Sequence, residues 1–215
     1  MVHYIEKLIR EGEHQQQDFK FCITDSRKIA KSLSAFANTD GGRLLIGVKD
    51  NGKIAGAQVN EEFHMIQAAA EMYSKPKIEF ESKVWTVNGK NVLEITIQPS
   101  EDMPHYAQSE DGKWLAYLRK DDENKLANRI LLEVWKRKSK PTGTYLVYTE
   151  TEKMLLDYLK NNESISLNQF FKLAKISRYK AERILVKLIC WEVLEPKFEE
   201  TGTTYMLKQV ESNTF

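Results

Sequence analysis

The hydrophobic and polar positions at the start of the chain follow two different periods. Residues 3–10 show the spacing of a short amphipathic helix, with Tyr4 and Leu8 facing inward. A stretch of alternating positions comes next and predicts a strand. Its apolar face carries Phe19 and Phe21. The chain therefore opens with a helix and a strand that each bury one side.

A longer amphipathic helix follows this strand. Ile29, Leu33 and Phe36 share one face of it, and Asp25 or Ser26 can cap its first turn. The further elements predicted for this half are a strand over 44–48, a hairpin turn at 50–52, a helix over about 61–73, strands over 77–87, 91–98 and 114–119, and a helix over about 124–138. This half is expected to be α+β with a mixed or mainly antiparallel sheet.

Residues 139–144 carry proline and glycine and offer nothing apolar to pack, which is typical of a linker, and we place the linker at 139–146. We therefore expect domains at 1–138 and 147–215. The second domain is predicted to contain helices over about 150–161, 167–175 and 178–191 and two strands flanking 201–202, with Ser166 and Gln169 as a capping box. Three short helices and a hairpin resemble a winged helix-turn-helix.

Composition narrows the function classes only slightly. The chain of 215 residues has 32 Lys and Arg against 31 Asp and Glu, so any basic surface must be local. Cys22 and Cys190 form no metal-binding spacing and are expected to be free thiols. The absence of a signal peptide or a long apolar run predicts a cytoplasmic protein that does not engage a membrane.

Five short motifs, in order along residues 1–138, resemble the Schlafen-type, AlbA-like nucleic-acid-binding domain. They are Glu13 with Asp18-Phe19-Lys20, then Ala35-Phe36-Ala37-Asn38-Thr39, then Gly41-Gly42-x-Leu44-x-Ile46-Gly47-Val48, then Asp50-x-Gly52 with Ile54-x-Gly56, and finally Pro104-x-Tyr106 with Tyr117-x-Arg119, Asn124 and Ala127. Each motif is weak alone, and their order makes the combination specific.

The resemblance implies a possible nuclease site. Schlafen proteins that cleave RNA use carboxylates at the positions matched here by Glu13, Asp18 and Asp50. Three carboxylates can hold Mg²⁺ or Mn²⁺, which would stabilise charge at a phosphate or activate water. The family usually has glutamate where this chain has Asp18, so the shorter side chain is a departure from the pattern. Structural roles compete with this interpretation, because Asp50 also suits a tight turn.

The third helix of the C-terminal domain is predicted to present a basic face. Its candidate nucleic-acid-binding residues are Arg178, Tyr179, Lys180, Arg183 and Lys187, with Lys172 and Lys175 adding contacts from the helix before it. A dimer contact is the competing interpretation, because Tyr179, Val186 and Cys190 are expected to share the same outer stripe.

The favoured interpretation is an α+β protein in which an AlbA-like domain precedes a small winged helix. We expect a DNA-binding transcriptional regulator, with DNA favoured over RNA, no required cofactor, and a homodimer because one winged helix covers a single half-site. Lys20, Arg43 and Arg119 would add contacts to the nucleic-acid backbone. The alternatives are a Schlafen-type endoribonuclease that uses Mg²⁺ or Mn²⁺, and a protein-interaction module.

Overall fold

The computed structural model describes residues 4–139, 148–199 and 201–209. The α+β class predicted from the sequence is confirmed, and the chain divides into two compact units, Met1–Ala127 and Asn128–Phe215. The elements of the first unit are α1 (Tyr4–Glu11), β1 (Gln17–Lys20), α2 (Ser26–Ala37), β2 (Gly42–Ile46), α3 (Val59–Glu71), β3 (Ser74–Lys75), β4 (Glu81–Val87), β5 (Lys90–Ile97), β6 (Tyr106–Gln108), β7 (Trp114–Lys120) and β8 (Glu123–Leu126).

The described residues of the first unit form two four-stranded sheets. One is mixed, in the order β1-β2-β5-β4, with β1 and β2 parallel and the other pairs antiparallel. The other is antiparallel, in the order β3-β6-β7-β8. The main core joins the apolar face of α2 to α3 and to both sheets, with Leu33, Phe36 and Ile66 fully buried. Asp25 caps α2 by accepting a hydrogen bond from the Arg27 amide at 2.8 Å.

The structure corrects the inward faces predicted for the first two elements. In α1, Ile5 is buried and Tyr4 is 40% exposed, because the helix turns its Ile5–Leu8 side to the core. In β1, Phe19 is buried as expected, whereas Phe21 is 52% exposed because the strand ends at Lys20. The period of two that predicted a shared face applies only while the strand continues.

Helix α4 begins later than predicted and packs elsewhere. Residues 123–126 form β8, and α4 spans Arg129–Lys138 with Asn128 as its cap. Ile130 and Val134 join the hydrophobic core of the second unit. The division at Ala127 therefore places α4 with the C-terminal unit, whereas the sequence-based boundary at 139–146 placed it with the first domain. Residues 140–146 of that predicted linker lie outside the described residues.

The residues that the structure describes in the second unit form four helices and a three-stranded antiparallel sheet. After α4 come α5 (Glu150–Asn161), β9 (Ile165–Ser166), α6 (Leu167–Leu173), α7 (Arg178–Cys190), β10 (Leu194–Glu199) and β11 (Gly202–Leu207). The strand order is β10-β11-β9. The capping box of Ser166 and Gln169 forms as predicted. In the described ranges, no helix has the length and apolar character needed to cross a membrane.

Candidate functional site

Two of the three predicted nuclease carboxylates lie side by side at the start of β1. Glu13 accepts a hydrogen bond from the Phe19 amide at 2.9 Å. Burial raises the pKa of Glu13, and a hydrogen bond with the Asp18 carboxyl raises that pKa further. Asp18 is only 5% exposed. The two groups therefore form an acidic pair in which Glu13 holds its proton more tightly than a solvated glutamate does.

Asp18 is already engaged by basic groups of the same unit. The Lys20 ammonium lies 2.9 Å from one carboxylate oxygen, and the Arg119 guanidinium lies 3.7 Å from the other. Asp50 is exposed in the turn after β2, and within the described ranges no three His, Cys, Asp or Glu side chains are grouped so as to hold a metal ion. The arrangement does not fit a divalent ion shared by Glu13, Asp18 and Asp50.

Arg119 is an internal residue and does not face a ligand. Its side chain is 1% exposed. The guanidinium donates to the Gln17 carbonyl at 3.2 Å and to the Asn124 side chain at 3.1 Å, and it lies 5.1 Å from the centroid of the Phe36 ring. The prediction that Arg119 contacts a nucleic-acid backbone is therefore wrong, because burial leaves this cation no access to a polyanion. It ties β7 to β1 instead.

Lys20 and Arg43, the other basic residues predicted to contact nucleic acid from the first unit, are also occupied. Lys20 pairs with Asp18 and donates to the Phe19 carbonyl at 2.7 Å. Arg43 donates to the Tyr4 hydroxyl at 3.0 Å and lies 3.8 Å from Glu94. Their side chains are about one third exposed, and each faces a buried carboxylate. Their charge is largely neutralised within the unit.

The end of α2 carries a buried residue whose role the sequence did not reveal. Asn38 donates to the carbonyls of His105 and Tyr117 at 2.8 and 2.9 Å, and its side-chain oxygen accepts from the His105 amide at 2.7 Å. Asn38 thereby joins α2 to β7 and to the loop before β6. The only sequence signal for it was its place in the second family motif.

Helix α7 presents most of the predicted basic residues to solvent. Arg178, Tyr179, Lys180 and Arg183 are all exposed, with Tyr179 at 59%. The helix begins after Ser177, whose hydroxyl accepts from the Lys180 amide at 3.3 Å. A helix N-terminus with cationic side chains attracts anions through both the dipole and the charges.

The neighbours of this exposed face divide its cations into paired and unpaired groups. Arg178 pairs with Glu182 at 3.3 Å, and Arg129 of α4 approaches the same carboxylate at 3.6 Å. Lys180 and Arg183 have no carboxylate partner among the residues that the structure describes. Lys172 and Lys175, near the end of α6, are exposed.

Lys187 differs from the other predicted contacts of α7. Its side chain is 17% exposed and pairs with Glu152 of α5, which is 3% exposed. Burial opposes the ionisation of Glu152, but hydrogen bonds from Lys187 and Thr149 outweigh it and hold the pKa of Glu152 below its usual value. This ion pair turns Lys187 toward α5, so its charge is matched within the second unit. Val186 is likewise buried, at 2% exposure.

A groove between α4 and α7 brings Lys180 and Arg183 together with Arg137. We call it the α4–α7 groove; its volume is about 430 Å³, and it is lined by Arg137, Tyr179, Lys180, Arg183, Ile184 and Lys187. These side chains are basic, aromatic or aliphatic. The Arg183 guanidinium lies 5.8 Å from the centroid of the Tyr179 ring. The groove combines positive charge with an aromatic face, which is the chemistry that binds phosphates and bases. Sequence reasoning missed Arg137 because it assigned α4 to the other domain.

Comparison with known proteins gives a family for the first unit. Residues 13–128, more than half of the chain, match the family described as "Schlafen, AlbA_2". No curated protein matches the chain.

Two of the solved structures that match are bacterial proteins. The DIP2311 protein of Corynebacterium diphtheriae is 21% identical with a TM-score of 0.43, over 60% of this chain and 28% of that one. The N-terminal domain of an ATP-dependent DNA helicase RecG-related protein of Nitrosomonas europaea is 20% identical with a TM-score of 0.40, over 60% of this chain and 94% of that one. With TM-scores this low, neither likeness supports a conclusion about function. The family match covers all five motifs, and the chain belongs to the Schlafen AlbA_2 family.

Proposed function

We propose that this chain binds nucleic acid, and specifically double-stranded DNA, through the exposed N-terminal half of α7. The observation that carries the proposal is the α4–α7 groove, in which Arg137, Lys180 and Arg183 gather beside the exposed Tyr179 ring. Cationic side chains without internal partners displace the counterions that surround the phosphates of a nucleic acid, and the release of those counterions favours binding. Membership of the AlbA_2 family agrees with such a role.

The architecture of the second unit supports a winged-helix mode of binding. The order α5, β9, α6, α7, β10, β11 with a three-stranded antiparallel sheet is typical of a winged helix. In helix-turn-helix proteins the second helix of the motif enters the major groove and its N-terminal residues contact base edges. Here that helix is α7, and Arg178, Lys180 and Arg183 occupy its first two turns. Lys172 of α6 then lies on the helix that crosses the phosphate backbone.

Duplex DNA is favoured over duplex RNA by groove dimensions. The major groove of B-DNA is about 12 Å wide and admits an α-helix, whereas the major groove of A-form RNA is too narrow for side chains to read. A transcriptional regulator that binds as a homodimer is the specific form of the proposal, because one such helix reads only one half-site.

Fluorescence anisotropy with labelled duplexes tests the proposal. The full chain should bind duplex DNA with an affinity that falls steeply as salt rises, with a log–log slope of about −3 or steeper if it contacts three or more phosphates. Binding to a duplex RNA of the same length should be weaker. A chain that binds neither duplex at low salt would contradict the proposal and favour a protein-interaction module.

A further inference from the structure

A second cationic pocket lies in the first unit and shares no residue with the α4–α7 groove. It is formed between the first turns of α2 and the β6–β7 turn, and we call it the α2 pocket. Its volume is about 360 Å³, and it is lined by Arg27, Lys28, Lys31, Ala107, Gln108, Ser109, Glu110, Asp111 and Tyr117. This volume falls within the range of about 300–1,000 Å³ that is usual for small-molecule sites.

Two cations on one face of α2 lie over aromatic rings. Arg27 and Lys31 are four residues apart, so they project from the same side of the helix. The Arg27 guanidinium lies 5.0 Å from the centroid of the Tyr73 ring, and the Lys31 ammonium lies 5.1 Å from that of Tyr117. Neither cation has a carboxylate partner within the described part of the chain. The two aromatic rings position these charges without neutralising them.

The acidic residues of the pocket are matched by other cations. Glu110 lies 3.6 Å from Lys28, in a pair that is exposed at both ends. Asp111 accepts from Ser109 and Lys113, and these hydrogen bonds lower its pKa to about 2. The carboxylates therefore do not cancel the charge of Arg27 and Lys31. An anion that enters the pocket meets two unpaired cations.

The floor of the pocket is apolar and aromatic. Ala107 is buried, and Tyr117 packs its ring against the main core of the unit. Burial raises the pKa of Tyr117, so its hydroxyl remains a hydrogen-bond donor at neutral pH. Gln108 and Ser109 add neutral polar groups at the wall. A flat ring resting on Tyr117 would find apolar surface below it and hydrogen-bonding groups beside it.

We propose that the α2 pocket binds a nucleoside 5′-phosphate, with the phosphate held by Arg27 and Lys31 and the base placed against Tyr117. A phosphate monoester carries about −1.5 to −2 charges at neutral pH, which matches two cations. The base and sugar would fill the pocket and cover its apolar floor, whereas a bare phosphate would leave most of the volume empty. The same chemistry is offered by a free nucleotide and by the phosphorylated 5′ end of a strand. The site is independent of the α4–α7 groove.

Isothermal titration calorimetry with the full chain tests this site. The probes are the four nucleoside 5′-monophosphates, adenosine, inorganic phosphate and a 5′-phosphorylated single-stranded tetranucleotide. At least one monophosphate or the tetranucleotide should bind about tenfold more tightly than adenosine and phosphate do. Binding by a monophosphate identifies a free nucleotide as the ligand, and binding by the tetranucleotide alone identifies a strand end.

Matched variants locate the binding. The double variant Arg27→Gln/Lys31→Gln should bind the preferred probe about tenfold more weakly. The control Lys7→Gln/Lys53→Gln removes two exposed lysines of the same unit outside the pocket and should change the affinity less than twofold. Tyr117→Phe keeps the ring and should retain binding, whereas Tyr117→Leu should weaken it, with folding of each variant verified by circular dichroism.

Three results would overturn the proposal. They are no heat with any nucleotide probe at millimolar concentration, equal affinity for inorganic phosphate and the monophosphates, and unchanged binding by a folded Arg27→Gln/Lys31→Gln variant. Because duplex binding in the α4–α7 groove is measured with different residues, a failure here leaves the DNA-binding proposal standing, and the reverse also holds.

Discussion

The basic residues around β1 and those around the start of α7 have opposite surroundings. Lys20 and Arg119 face the buried Asp18, and Arg119 is itself enclosed. Lys180 and Arg183 are exposed beside Arg137, without carboxylate partners in the described chain. In the first unit the cations neutralise buried acids and join strands. In the second unit they repel one another, which costs stability and leaves them free for a polyanion.

The strongest test of this contrast is the removal of the buried cation. Arg119→Met should lower the free energy of unfolding by about 3–5 kcal/mol, because it leaves Asp18 as a buried charge with one partner fewer and strips the Gln17 carbonyl of a donor. Urea denaturation followed by circular dichroism measures the loss. The matched variant Arg183→Met, at an exposed site, should change stability by no more than about 0.5 kcal/mol. Equal effects of the two variants would remove the contrast.

A second test separates Lys187 from its neighbours on α7. Lys187→Met should destabilise the chain by about 2–4 kcal/mol, since it leaves the buried Glu152 without its cation. Lys180→Met should leave stability unchanged or raise it slightly, because it relieves repulsion in the α4–α7 groove. Thermal denaturation of both variants measures the difference. A stable Lys187→Met protein with weakened DNA binding would return Lys187 to the binding face.

A third test compares the two sets of cations as ligands for DNA. Lys180→Gln/Arg183→Gln should weaken duplex binding about tenfold or more and reduce the salt slope by about two, because two phosphate contacts are lost. Lys20→Gln/Arg43→Gln should change the affinity less than about twofold, since both side chains are paired within the first unit. Salt titrations by fluorescence anisotropy give both numbers. The reverse ranking would place the DNA interface on the first unit.

The smallest expected effect concerns pH, and its sign differs between the units. Burial and the hydrogen bond with Asp18 raise the pKa of Glu13, so its contribution to stability is lost as pH rises from about 4.3 through the raised pKa. The pKa of Glu152 is lowered, so its contribution is present above about pH 4.3 and is lost as pH falls.

Melting temperatures between pH 4 and pH 7 check this difference. Glu13→Gln should reduce the loss of stability that occurs as pH rises toward 7. The reduction should be less than about 1 kcal/mol because Glu13 is partly exposed. Glu152→Gln should reduce the loss of stability that occurs as pH falls toward 4. A Glu13→Gln profile that parallels the parent protein would show that this carboxyl titrates as a solvated group.

Local signals in the sequence predicted most elements of the fold. The apolar stripe of α2, its Asp25 cap and the Ser166–Gln169 capping box depend on residues within one turn of each other, and all three form. The face of β1 was mispredicted because it depends on where the short strand ends, and that of α1 was mispredicted because the helix turns Ile5 and not Tyr4 to the core. Burial of Arg119 depends on Asp18, about a hundred residues away in the chain, and no local pattern records that pairing.

The candidate site was predictable only in part, for the same reason. The spacing of apolar and polar residues predicted that the first turns of α7 are exposed, and Arg178, Lys180 and Arg183 lie on that surface. The pairing of Lys187 with Glu152 and the packing of α4 beside α7 are tertiary contacts between separate helices. Because charge spacing alone does not reveal partners, Lys20, Arg119 and Lys187 were predicted to have the same role as Lys180 and Arg183.

Lysine acetylation footprinting with and without duplex DNA tests the central claim most directly. The free chain supplies the reference rate of modification for the ammonium groups of Lys180 and Lys20, and mass spectrometry follows both in one sample. Our account predicts that bound duplex slows the acetylation of Lys180 and leaves that of Lys20 unchanged. Protection of Lys20 with Lys180 still reactive would contradict it.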